Sequence, residues 1–242
     1  MTVKTPVYLD HHATTPVDPR VLEKMDRVLR VHFGNPASTT HAYGWAAKRL
    51  VDEARGHVAA LIGAEPREIV FTSGATEADN LALKGVAERY GGRGDHIVTT
   101  VLEHEAVLAP LRQLERRGWR VTRVGADEDG LIDPGAVADA ITEGTVLVSV
   151  IAAQNEIGTI QPLAEIGELC QAREVLLHTD AAQAAGKIDL DVRRDGIDLL
   201  ALSGHKLYAP KGVGALYVRR RSPRVSLEPQ LAGGGQEEGL RS

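Results

Sequence analysis

The 242-residue sequence predicts an α/β fold in three layers: a mostly parallel sheet with one antiparallel strand, covered by helices on both faces. Three observations carry this. Short apolar runs alternate with helix-period segments along most of the chain, which is the pattern of βα units. The short runs are apolar at successive positions, so they have no wet face and belong in a sheet buried on both sides. The last run, Val213 to Val218, follows its predecessor across a short Pro210-Lys211-Gly212 link. No crossover helix fits in that link, so this strand runs antiparallel.

In chain order, Val21, Leu22, Met25, Val28 and Leu29 fall at helical spacing behind Pro19, a favourable first-turn residue. Ala47, Leu50, Ala54, Val58 and Leu61 repeat that spacing, and Gly63 can close the helix. Glu68 to Thr72 reads as a strand, Thr76 to Tyr90 as a helix, His96 to Thr100 as a strand and Glu105 to Arg117 as a helix. Further strands are predicted over Val121 to Val124, Val146 to Ala152, Val175 to Thr179 and Asp198 to Leu202, with a helix over Leu163 to Arg173. Residues 1–18 read as an N-terminal segment and 19–242 as one large domain. The chain finishes in a glycine-rich stretch around Gly233-Gly234-Gly235 with no closing element, from which we expect a longer natural protein.

Composition narrows the function. Hydrophobic residues make up 43% and charged residues 25%, with a net charge of -5 and both signs dispersed. That disfavours nucleic acid as a partner. The one basic run, Arg219-Arg220-Arg221, reads as a solvated strand end. The start, Met1 to Pro6, lacks the apolar core of a signal peptide, and no apolar run is long enough for a bilayer. With a single cysteine, the expected location is the cytoplasm, with no membrane partner. The histidines show no metal-ligand spacing with that cysteine, so no metal site is expected.

The polar residues of interest follow predicted strands, where ligands collect in open parallel sheets. Ser73-Gly74-Ala75-Thr76 joins a strand to a helix start, whose free N–H groups suit a phosphate. The helix dipole contributes only about 0.3–1 kcal/mol, so specific donors must hold the anion, and Thr76 is the best side-chain candidate. His104 could stack on an aromatic ring and move protons, or could simply lie on the surface between two glutamates. Asn155 could bond a phenolate or a carboxylate, or form a turn before Gly158. Asp180 could keep a ring nitrogen protonated, or cap a helix. Gln183 could reach a ring oxygen. Lys206, in Ser203-Gly204-His205-Lys206, is preferred over Lys187 and Lys211, both expected to face solvent, as the amine that condenses with an aldehyde. An anion cradle, a ring acid, a ring-oxygen donor and an imine-forming lysine together are what pyridoxal phosphate requires.

Tyr8 to Pro16, Gly34-Asn35-Pro36-Ala37-Ser38, Thr72 to Asn80, Asn155 to Gly158, Ser203 to Lys206 and Gly233 to Glu237 together resemble the cysteine desulfurases, class V enzymes of pyridoxal-phosphate fold type I. The resemblance spans the chain and fits the group that feeds iron–sulfur cluster assembly. It implies the fold-type I large domain, with Lys206 bonded to the cofactor aldehyde and His104 over the ring. Asp180 would pair with the ring nitrogen, and Gln183 and Asn155 would lie at the ring oxygen. Ala75, Thr76, Ser203 and His205 would hold the phosphate. It further implies transfer of sulfur from L-cysteine, leaving L-alanine and an enzyme persulfide, in a homodimer that passes the sulfur to an iron–sulfur scaffold or another acceptor protein.

Two departures accompany the resemblance. In the family, the loop continues after the Arg-Ser pair into a Gly-Thr whose threonine reaches the neighbouring subunit's phosphate, and this chain stops short of it at Arg241-Ser242. The family's persulfide cysteine and its substrate-binding arginine belong to a C-terminal portion beyond Ser242. The cysteine present, Cys170, sits in a helical pattern and reads as a packing residue. The 242-residue chain alone is therefore expected to bind the cofactor without efficient turnover. A selenocysteine lyase, an aminotransferase of the same class and a non-catalytic interaction protein remain the alternatives.

Overall fold

The computed structural model describes residues 5–242; residues 1–4 of the predicted N-terminal segment lie outside the described residues. Six helices and seven strands follow in chain order: α1 (Pro19–Val31), α2 (Ala42–Leu61), β1 (Ile69–Thr72), α3 (Ala75–Tyr90), β2 (His96–Thr100), α4 (Glu105–Glu115), β3 (Arg120–Val124), α5 (Pro134–Ala140), β4 (Thr145–Ser149), α6 (Leu163–Ala172), β5 (Leu176–Asp180), β6 (Leu199–Ser203) and β7 (Gly214–Val218) among the described residues. The strands form one sheet in the order β1-β7-β6-β5-β4-β2-β3. Strands β2 to β6 pair in parallel, and β7 runs antiparallel to both β6 and β1.

Strand alternation sorts the core into two halves. Val98, Val148, Leu177, Leu200 and Tyr217 face one side, where residues of α2 and α6 cover them. Their neighbours Ile97, Leu147, Leu199 and Leu216 face the other, covered by α3 and α4. Both halves are fully buried, as the unbroken apolar runs require. Gly63 follows α2 with φ +69°, and the Ala64 N–H returns to the Ala59 carbonyl, so the helix ends where expected.

Several sequence expectations need adjustment. Strand β4 stops at Ser149 rather than Ala152: Val150 and Ala152 still donate to the carbonyls of His178 and Asp180, but the Ile151 N–H between them goes to the buried Glu103 carboxylate. Helix α5 was not foreseen; Asp133 caps it through the Gly135 N–H, with Pro134 at its first position. The apolar stripe of α1 produces a helix, yet none of its residues is buried in this chain. The run Arg219 to Arg221 is paired rather than solvated. Arg219 lies 2.8 Å from Asp198, Arg220 binds Glu238, and Arg221 donates to the Tyr217 hydroxyl. Among the described residues, no helix is long and apolar enough to cross a membrane.

Candidate active site

A cavity of about 750 Å³ opens beyond the carboxyl ends of β5 and β6. The nine residues singled out from sequence all line it: Ala75, Thr76, His104, Asn155, Asp180, Gln183, Ser203, His205 and Lys206. Lys211, expected to face solvent, is exposed but also lines this cavity. Exposed Lys187 donates to the Gln183 amide oxygen at 2.9 Å.

One end of the cavity is built for an anion. Ala78 makes the first intrahelical bond of α3, to the Gly74 carbonyl. The N–H groups of Ala75, Thr76 and Glu77 ahead of it find no acceptor among the described residues. Ser203 is buried beside them, and its hydroxyl makes no hydrogen bond there. Glu77 lies in the first turn and would repel an anion, but its carboxylate accepts from the Ser73 N–H at 2.8 Å and from Arg241 at 2.8 Å. Burial works to raise its pKa, and these two donors outweigh it and hold the group ionised below the usual range.

The same cavity carries the acid and the amine. Asp180 is buried, and one of its oxygens accepts from the Ala182 N–H at 2.9 Å; the other makes no hydrogen bond among the described residues. Burial raises its pKa, opposed by the Ala182 N–H, His104 and Lys206. Lys206 is half-buried, and desolvation, aided by Lys187, lowers its pKa. A lowered lysine supplies more free amine near neutral pH, as an imine-forming group needs. His104 caps α4 by accepting the Ala106 N–H on Nδ1 at 3.1 Å, which leaves the Nε2 edge free for a proton. The His205 Nδ1 lies 3.0 Å from the Thr14 hydroxyl, and burial, Lys206 and Lys211 lower its pKa. A three-donor cradle and a half-partnered buried carboxylate fit a phosphate and a protonated ring nitrogen respectively.

Sequence reasoning missed the part played by the N-terminal segment. Thr15 pairs with the His205 carbonyl through both its N–H and its hydroxyl, each at 2.9 Å. That contact lays His12 across the site, where its carbonyl accepts from Lys206 and Gln183 and its ring meets the Asn155 carbonyl at 3.1 Å. Buried Glu103 was also missed as more than a neighbour of His104. It accepts from Thr100 at 2.9 Å and from Ile151 at 2.7 Å, and burial pushes it up to about 8. Cys170 is buried in α6 away from this cavity, and desolvation lifts its thiol to about 12, so it is a packing residue and not a nucleophile here.

The sequence profile of the family described as Aminotransferase class-V matches residues 7–240. The chain belongs to that family. This class V chain is 57% identical over its whole length to a cysteine desulfurase IscS of Neisseria meningitidis, and covers 60% of that protein. It shows the same identity to cysteine desulfurase IscS of Azotobacter vinelandii, over 99% of this chain and 60% of the relative. Among solved structures, one described as SspA in complex with cysteine superposes with a TM-score of 0.92 at 43% identity, over 97% of this chain and 67% of that one. A NifS-like protein superposes with a TM-score of 0.93 at 42% identity, over 98% of this chain and 64% of that one. The class V chain thus spans about 60% of the length of the curated relatives it matches.

Proposed function

We propose that this chain is the large, cofactor-binding domain of a pyridoxal-phosphate-dependent cysteine desulfurase. The observation that carries this is one cavity holding the free α3 N-terminus, the buried Asp180 carboxylate and the Lys206 amine, in a chain 57% identical to cysteine desulfurases. Residues 19–242 make up that domain, and the N-terminal segment 1–18 reaches across its site at His12 and Thr15.

The cofactor, when bound, supplies a protonated ring that withdraws electrons from the substrate's α-carbon. Lys206 would hold its aldehyde end, and its amine is placed to carry the substrate's α-proton. Asp180 would keep the ring nitrogen protonated, Gln183 and Asn155 would donate to the ring oxygen, and His104 would stack on the ring with Nε2 able to pass a proton. Ala75, Thr76, Ser203 and His205 would hold the phosphate. The substrate is L-cysteine, with L-alanine as product and the sulfur leaving on a cysteine of the complete protein, since Cys170 is buried with a raised pKa. The complete protein works as a cytoplasmic homodimer that hands sulfur to an iron–sulfur scaffold or a similar acceptor. The relatives' desulfurase names favour this over an aminotransferase.

The test is direct. Pyridoxal phosphate added to the purified chain is expected to give a visible absorption band, and borohydride reduction followed by peptide mapping should place the label on Lys206. A label on Lys187 or Lys211, or a band that survives in Lys206→Ala, would refute the assignment.

A further inference from the structure

Beneath the floor of the cavity, α3 lays an acid against the sheet that the proposed chemistry does not use. His178 and Asp180 stand on the same face of β5, two residues apart, and Ser149 occupies that face on neighbouring β4. Asp79 and His178 have no exposed surface. The His178 Nδ1 lies 2.8 Å from the Ser149 hydroxyl, and its Nε2 lies 3.3 Å from Asp79 Oδ1. Neither oxygen of Asp79 has a hydrogen-bond partner apart from that contact among the described residues.

Three proton arrangements are open to the pair. An ionised Asp79 beside a neutral ring puts an uncompensated anion in the interior, facing Asp180 and Glu103. An ion pair separates two buried charges across a single long contact. A neutral pair leaves only Asp79 Oδ2 unpartnered and no charge buried: the Asp79 hydroxyl donates to Nε2, and Nδ1–H donates to Ser149. Burial drives both members the same way, raising the Asp79 carboxyl and lowering His178 to about 3. Glu103, pushed up to about 8, is neutral near pH 7 as well.

We propose that Asp79 and His178 form a neutral pair beneath the cavity, which adds no negative charge beside Asp180. Asp79 is then a positioning residue for Asp180. The groups facing the pair are Asp180 on β5 and Glu103 after β2, with His104 and Lys206 beyond Asp180. A second negative charge in this floor would draw a proton onto Asp180 and weaken its hold on a protonated ring nitrogen. That consequence rests on the cofactor reading, whereas the protonation of the pair does not.

The experiment uses the 242-residue chain with ¹⁵N-labelled histidine and no cofactor, with the His178 signals assigned by their loss in His178→Gln. Expected is a ring protonated on Nδ1 alone, unchanged between about pH 6 and 8. A doubly protonated ring, or a proton on Nε2 alone, overturns the proposal. Pyridoxal phosphate is then titrated into Asp79→Leu and Asp79→Asn, with folding checked by circular dichroism. Leucine leaves Nε2 without a donor and is expected to weaken binding at least about tenfold; asparagine donates an N–H without charge and should recover most of that loss. Equal affinity in the leucine variant and the wild type refutes the positioning role. If the leucine variant does not fold, the nitrogen spectrum of the unsubstituted chain still decides. Failure of the wild type to bind pyridoxal phosphate would instead refute the cofactor reading.

Discussion

Lys206 and Gln183 donate to one acceptor, the backbone carbonyl of His12. The two side chains come from different strand ends, and the N-terminal segment ties them together. Because the Gln183 oxygen is already engaged by Lys187, its amide N–H₂ is the group available to a ring oxygen. Gln183→Ala is expected to weaken pyridoxal phosphate binding by one hydrogen bond, about 1 kcal/mol or roughly fivefold. The visible band should persist, since Lys206 is untouched. An absorbance titration measures both, and an unaltered affinity would remove Gln183 from the site.

The cradle at α3 depends on two glycines in contact. A Cβ added to Gly214 would stand 2.5 Å from the Gly74 Cα and 2.6 Å from the Leu202 carbonyl oxygen. Both are backbone atoms, so neither can swing aside. Gly214→Ala must push β7 away from the turn that starts α3, at a cost of about 1–3 kcal/mol. Urea denaturation should show a lower midpoint with an unchanged slope, and phosphate affinity should fall with it. An alanine variant as stable as the wild type would show that β7 does not fix the position of the turn.

The sequence displays those parts of the site that sit at strand ends. Ser203 to Lys206 and Asp180 are legible because an apolar run stops abruptly at a chemically active side chain. His12 is not legible, since only the pairing of Thr15 with His205 brings it to the cavity from far away in the chain. Asp79 escapes for a different reason. Polar residues on a helix normally mark its wet face, and nothing local shows that α3 turns this one towards the sheet. Helix α1 shows the converse, where an apolar stripe gives a helix and leaves open what covers it.

Glu103 makes stability depend on pH. Its folded pKa of about 8 stands above the ordinary 4.5, so between these values the native state binds more protons than the unfolded chain. Stability contributed here is present below about pH 4.5 and is lost as pH rises through 8. Glu103→Gln keeps the bonds from Thr100 and Ile151, which both reach the same oxygen, and replaces the unpartnered one. The variant is expected to be more stable than the wild type at pH 8.5, by about 1 kcal/mol or more, with the gain shrinking towards pH 5. Melting temperatures across that range test this, and a difference independent of pH would contradict the raised pKa.

Glu237 anchors the glycine-rich segment to the sheet. Its carboxylate accepts two bonds from Arg55, at 2.7 and 2.8 Å, and a third from the Phe71 N–H at 2.8 Å. The two side chains are only 17% and 14% exposed, so water does little to screen or replace these bonds. Arg55 also reaches the Ile69 carbonyl, which joins α2, β1 and the segment in one network. Glu237→Ala leaves a mostly buried guanidinium with the Ile69 carbonyl as its remaining hydrogen-bond acceptor and should cost roughly 1.5–3 kcal/mol. Because Arg241 holds Glu77 from the same segment, the loss should spread to the α3 N-terminus. Limited proteolysis is then expected to cut first between residues 233 and 242, with phosphate present at the site slowing the cut. Cleavage of the variant and the wild type at equal rates would show that the segment is held by other contacts.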